Sequence, residues 1–144
     1  MKLMKKLLLL LIVVTFSCSK DDNGNGNPFL PNVAFDTGNL INTNLPQYSN
    51  LQFPGNSIVV SGFGVRGLLL ANTGSGVIAF EQSDPNHAPN NCSAQSLNGL
   101  ISTCTCGDGN TYNLANGLQT AGEGGYPLKA YRTETSGNII RVFN

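Results

Sequence analysis

The sequence predicts an all-β domain, a small sandwich or barrel of about eight to ten short strands. Apolar and β-branched runs of four or five residues recur along residues 33–144, separated by Gly, Asn, Pro and Ser. No stretch of ten or more residues carries the i, i+3, i+4 apolar stripe that an amphipathic helix needs. The length agrees, since 144 residues make one domain able to bury its own core.

Taken in order, residues 33–45 place apolar side chains at Val33 and Phe35, then at Leu40 and Ile41. They predict two strands paired across Thr37-Gly38-Asn39. Leu45-Pro46-Gln47-Tyr48 and Phe53-Pro54-Gly55-Asn56 read as turns, because Pro presets φ and Gly or Asn accepts positive φ. Strands are expected at 57–60, 68–71 and 77–80, the last two joined through Asn72-Thr73-Gly74-Ser75-Gly76. Ser96-Leu97 and residues 100–103 flank Asn98-Gly99, a strong two-residue hairpin signal. Further strands are expected at 111–114, 126–132 and 138–143, the last two meeting at Thr135-Ser136-Gly137. Gly62-Phe63-Gly64-Val65-Arg66-Gly67 matches G-x-G-x-x-G, yet no strand–turn–helix surrounds it. Its glycines are expected to serve close strand packing.

The N-terminus carries Lys2, Lys5 and Lys6, the eight-residue apolar run 7–14, then Ser17-Cys18. Eight apolar residues fall short of the ~17–25 that span a bilayer, so the segment reads as a secretory signal. A small residue before Cys, followed by the polar string SKDDNGNGN, resembles a bacterial lipoprotein signal. That resemblance implies cleavage before Cys18 and a lipid on it, with residues 1–18 as the signal segment. Thr15 departs from the pattern, where an aliphatic residue is usual. Residues 19–32 then form a flexible polar tether and residues 33–144 the β domain. The expected location is the cell envelope, at the outer membrane, held by the N-terminal lipid and facing a protein partner there. Asp21-Asp22 resembles the acidic export signals of some surface lipoproteins.

Charge removes one class of partner. Only 11% of residues are charged and the net charge is zero, so there is no basic face for nucleic acid. The chain also lacks a nucleophile elbow, usefully spaced paired carboxylates and a phosphate loop. No catalytic residues are assigned, and an enzyme is not expected.

The chemistry gathers in residues 84–109, DPNHAPNNCSAQSLNGLISTCTCGDG, which hold the one His, His87, and three of four Cys. An exported protein tends to oxidise its thiols. With Cys18 set aside for lipid, Cys92, Cys104 and Cys106 are an odd number, so one thiol stays free or ligates a metal. Cys92 can bridge to Cys104 or to Cys106, and both pairings stand at this point. Cys104 and Cys106 share a face if they lie on a strand. His87, Cys92, Cys104 and Cys106 have the chemistry of a zinc site. Their H-x4-C-x11-C-x-C spacing is not a usual structural zinc pattern.

The spacing resembles that of Rieske proteins, whose [2Fe–2S] cluster is held by two Cys on one iron and two His on the other. Their pattern is C-x-H, about sixteen residues, then C-x-x-H; here His87 is followed by sixteen residues and then Cys104. The flanks are similar as well. Gly76-Val77-Ile78-Ala79-Phe80 resembles the strand entering the first ligand loop. Tyr112-Asn113-Leu114-Ala115-Asn116-Gly117 resembles F-D-x-x-T-G, and Tyr126-Pro127-Leu128 resembles the segment before the last strands. The resemblance implies a Rieske-like β domain over residues 33–144, with two loops forming a cluster-site tip. Respiratory-chain members read C-P-C-H in the second loop and bridge its middle Cys to the first loop. Cys104-Thr105-Cys106 with Cys92 is similar, which implies a Cys92–Cys106 disulfide.

Registered on the family pattern, the first Cys falls on Pro85, or on Asp84 with a shift of one. The first His falls on His87, the second Cys on Cys104 and the second His on Gly107. Pro and Gly have no donor side chain, so a normal Cys₂His₂ cluster is not expected. The expectation is a binding or structural module without a cofactor. The alternative is an electron carrier with an atypical [2Fe–2S] cluster on His87 and Cys104, with Asp84, Cys106 or Asp108 as substitutes.

Overall fold

A computed structural model describes residues 26–144. The signal segment, Cys18 and most of the expected tether lie outside the described residues. The described chain is all-β in two antiparallel sheets. Its strands are β1 (Ile41–Asn42), β2 (Ser57–Val60), β3 (Leu68–Asn72), β4 (Val77–Glu81) and β5 (Gln95–Asn98). They continue with β6 (Ile101–Cys104), β7 (Thr111–Asn113), β8 (Leu118–Ala121), β9 (Ala130–Ser136) and β10 (Ile139–Phe143). The larger sheet has the order β1-β10-β9-β4-β3-β2 and the smaller β5-β6-β7-β8. Among the described residues the sole helical piece is a 3₁₀ turn, Ser49–Gln52.

Strand β3 explains how the sheets meet. Its sequence Leu-Leu-Leu-Ala has no polar face, as a strand covered on both sides requires. Leu68 and Leu70 point into a cluster with Ile41, Leu51, Val60, Tyr131, Ile140 and Val142. Leu69 and Ala71 point the other way, against Phe80, Tyr112, Leu114 and Leu128. Period-two alternation thus splits one strand between two cores. The second core seats the small sheet, and the small sheet carries the tip.

The Gly62–Gly67 loop also finds its reason. Glu81 at the end of β4 is fully buried. Its carboxylate accepts from Val65 N–H (2.7 Å), Arg66 N–H (2.9 Å), Ser83 N–H (2.9 Å) and the Tyr131 hydroxyl (2.7 Å). Burial of a carboxylate is tolerable when its oxygens are filled this way. Gly64, at φ 66°, approaches so closely that an added Cβ would sit 2.3 Å from Glu81 Oε2. The loop wraps a side chain of its own protein.

Several sequence expectations shift. Residues 33–45 do not pair with each other: Asp36 bridges Phe143 and Ile41 pairs Ile140, so both pieces lie along β10. The turn at Gly38, φ 53°, bulges the chain out and returns it to the same edge. Strand pairing expected from Tyr126 begins at Ala130 instead. Pro127 has no N–H to give a ladder. Leu97 and Gly137 regions also slip: Asn98 pairs Ile101 and Ser136 pairs Ile139, leaving Gly99-Leu100 and Gly137-Asn138 as the turns. Glycine at the first turn position, φ 58° in both, takes the dihedral no β-branched residue would. Strand β8 was not expected. The fold begins before residue 33: Leu30 is buried, and Lys129 Nζ donates to Pro31 O (2.9 Å) and Asn32 Oδ1 (3.2 Å). Among the described residues no helix is long and apolar enough to cross a membrane.

Candidate metal-binding tip

Two loops leave the small sheet on one side. Residues 82–94 join β4 to β5, and residues 105–110 join β6 to β7. The first is pinched at its neck by the Ser83–Ala94 bridge and by Asp84 N–H donating to Ser93 O (2.8 Å). Within it Asp84 Oδ1 accepts Asn86 N–H (2.7 Å), and Asn90 Oδ1 accepts Cys92 N–H (2.9 Å) and Ser93 N–H (3.1 Å). Such Asx contacts hold turns without a ladder. In the second loop Cys104 N–H donates to Asn110 O (2.9 Å) and Asn110 N–H donates to Asp108 Oδ1 (3.0 Å). Gly107 and Gly109 take positive φ, 79° and 77°.

The loops are tied together covalently. Cys92 and Cys106 form a disulfide with Cα atoms 4.8 Å apart. Thr105 Oγ1 adds a hydrogen bond to Cys92 O (2.7 Å). Cys104 is the free thiol among the described residues, and it is buried.

Around the bridge four donor side chains converge. His87 Nδ1 lies 3.0 Å from Ala88 O. A carbonyl only accepts, so Nδ1 carries the hydrogen and Nε2 faces inward. Nε2 lies 3.3 Å from Cys104 Sγ, 3.3 Å from Asp108 Oδ2 and 4.0 Å from Asp84 Oδ2. Asp84 is fully buried and fixed from behind. Its Oδ1 accepts the Tyr112 hydroxyl (2.9 Å) and its Oδ2 accepts Asn110 Nδ2–H (3.1 Å). Burial first, with the neighbouring Asp84 and Asp108 carboxylates, pushes the Cys104 thiol up to about 12 against an opposing backbone contact at Cys106. Burial likewise pushes the Tyr112 phenol far above its usual range, so it stays a donor to Asp84. His87 and Asp108 border an open depression shared with Asn86, Asn110, Glu123 and Gly124.

Each residue singled out in the sequence now has a place. His87, Cys104, Asp84 and Asp108 meet. Cys106 Sγ also lies within the 4.8 Å span of the group His87, Cys104, Cys106 and Asp108. Its sulfur is nevertheless committed to Cys92, so proximity does not make it a ligand while the bridge stands. The four-ligand set His87, Cys92, Cys104, Cys106 loses two members for the same reason. Asn110 and Tyr112, which position Asp84, were not visible from spacing, because their ties to it are made across 26 and 28 residues of chain. Asn86 reaches Asp84 locally, through its N–H two residues on.

A Rieske cluster needs two thiolates and two imidazoles. The residues here offer one of each, with the Asp84 and Asp108 carboxylates beside them. That donor set does not fit the group.

No protein-family model and no curated protein matches the chain. Solved structures similar in fold include the ferredoxin of carbazole 1,9a-dioxygenase from Nocardioides aromaticivorans IC177. It is 21% identical, with 62% of this chain and 86% of that one covered at a TM-score of 0.46. The Sphingomonas yanoikuyae B1 ferredoxin is 16% identical over 64% of this chain and 88% of that one, at 0.47. A complex of reduced oxygenase and oxidized ferredoxin in carbazole 1,9a-dioxygenase contains a chain 21% identical, covering 62% and 82%, also at 0.47. These are likenesses of fold, and function has to be argued from the site.

Proposed function

We propose that this chain is an exported lipoprotein of the outer membrane, anchored through Cys18, whose Rieske-like β domain works as a non-catalytic binding module. It carries no Rieske cluster on this reading. The observation that supports it is the Cys92–Cys106 bridge, which leaves Cys104 as the one free thiol beside His87. Pro85 and Gly107 at two ligand positions act in the same direction. The test uses protein purified from its own envelope. Colourless protein without iron and sulfide is expected; paired visible bands with the EPR signal of a [2Fe–2S] centre would overturn the reading. Cys18→Ser is expected to release the protein from the membrane fraction.

A second reading keeps electron transfer. One observation favours it: four donor atoms of His87, Cys104, Cys106 and Asp108 lie within 4.8 Å of one another. With Cys106 as a ligand it needs the bridge open, whereas with Asp84 and Asp108 as the substitutes the bridge can stand; it predicts a brown protein that bleaches in His87→Ala or Cys104→Ser.

A further inference from the structure

We infer that the tip holds a single divalent metal ion of the zinc class, ligated by His87 Nε2, Cys104 Sγ and Asp108 Oδ2. The inference rests on the reading that no iron–sulfur cluster occupies this tip.

Three observations carry it. The first is spacing. A tetrahedral ion with Zn–N and Zn–O near 2.0–2.1 Å and Zn–S near 2.3 Å separates N from S by about 3.5 Å and N from O by about 3.4 Å. The corresponding separations here are 3.3 and 3.3 Å. The second is what a proton cannot do. With its hydrogen on Nδ1, His87 turns a bare Nε2 toward the Asp108 and Asp84 carboxylates, and the Cys104 thiol beside them has a single hydrogen to share. One S–H serves one of these acceptors well; a cation serves all three. No Lys or Arg among the described residues forms an ion pair with Asp84 or Asp108, although Asp84 is fully buried. The third is support. The Nδ1–H of His87 is held by Ala88 O, which orients Nε2 as a ligand. Asp84 is clamped by Tyr112, Asn86 and Asn110 and supplies fixed negative charge beside the imidazole.

The mixture of one nitrogen, one sulfur and one carboxylate oxygen suits Zn²⁺ over Mg²⁺ or Ca²⁺, which take oxygen. The fourth position faces the depression beside Asn86, Glu123 and Gly124, through which the ion and a small anionic or neutral ligand can approach. The Cys92–Cys106 bridge keeps both loops at this spacing and takes no part in binding.

The experiment titrates the full oxidised chain, stripped with chelator, with Zn²⁺ by calorimetry and with Co²⁺ by absorbance. One ion per chain is expected, with the near-ultraviolet sulfur-to-cobalt band and the visible bands of a four-coordinate Co²⁺. Cys104→Ser should abolish the sulfur band. His87→Ala and Asp108→Asn should weaken binding by more than the ~10–100-fold that loss of an outer partner costs, whereas Asp84→Asn should fall in that range. Unfolding midpoints in chelator, equal to the parent's, show that each variant is folded. Absence of saturable uptake by the colourless parent overturns the metal site and leaves the proposed function standing. So does binding unchanged in both His87→Ala and Cys104→Ser. A [2Fe–2S] spectrum overturns both.

Discussion

Glu81 shows how much one side chain can decide. Its carboxylate fills a loop of backbone N–H groups that would otherwise be buried without acceptors. Glu81→Gln keeps the shape but turns an amide N–H₂ toward donors, and should cost about 2–3 kcal/mol in urea unfolding. Gly64→Ala pushes a methyl into the same carboxylate at positive φ, and about 1–3 kcal/mol of destabilisation is expected by the same measurement. The loop sequence was legible as glycine-rich and as no nucleotide fingerprint. Its true ligand was not legible, because Glu81 looks from sequence like the polar end of a strand. The tip followed the same rule. His87 and Cys104 stood out as rare residue types at a telling spacing. Asp84 entered only as a possible substitute ligand, since only the fold reveals that Tyr112 and Asn110 turn its carboxylate inward.

At the scale of elements, the strands that read most clearly were those dense in β-branched and aliphatic residues. Residues 57–60 appear with their expected bounds, and β3 and β4 each extend one residue further. What could not be read was the partner. The extended pieces near Asp36 and Ile41 choose β10, which lies about a hundred residues downstream. Strand β8, Leu-Gln-Thr-Ala, has one large apolar residue, Leu118, which stays exposed, and no alternation to announce it. At the β1–β10 edge, Arg141 grips Asp36 and also reaches Glu134 (3.0 Å). The Arg141 guanidinium, helped by the Gly38 N–H, holds Asp36 down to about 2 from 3.8. A carboxyl depressed in the folded state adds stability above its unfolded pKa and loses it as pH falls. Thermal midpoints should therefore drop between about pH 4 and pH 2, with a shallower slope in Asp36→Asn. The effect is small because the pair is exposed. Strand β3 gives a larger one: Leu69→Ala should cost about 2–5 kcal/mol and loosen the small sheet selectively. Faster hydrogen exchange in β5–β8 than in β9–β10 would be its signature.

For the whole molecule, the disulfide is the one covalent link between the two tip loops. It closes a segment with a sequence separation of 14 residues, and its loss should cost about 3 kcal/mol. Urea unfolding of the Cys92→Ser, Cys106→Ser double variant measures that directly. Non-reducing peptide mass spectrometry should find this pairing with Cys104 unbridged. The pairing was implied by family resemblance, whereas geometry-free counting left Cys92 two possible partners. The all-β class was legible because turn residues punctuate every strand. The split into two sheets was not, since alternation tells which face a residue takes but never which core that face belongs to.

The start of the described chain has a consequence for orientation. Asn27 Nδ2 donates to Pro85 O (2.7 Å), and Phe29 stacks edge-on to Tyr126 with centroids 6.3 Å apart. The chain therefore leaves the domain beside the tip, at the end that carries His87 and Asp108. Eight residues lie between Cys18 and Asn27, a leash of at most about 30 Å even when pulled straight. On the proposed reading, with a lipid on Cys18, the tip is expected within about 30 Å of the headgroup layer. Vesicle-bound protein labelled at Asn91 should be quenched by a headgroup fluorophore, and doubling the leash with Gly-Ser repeats should relieve it.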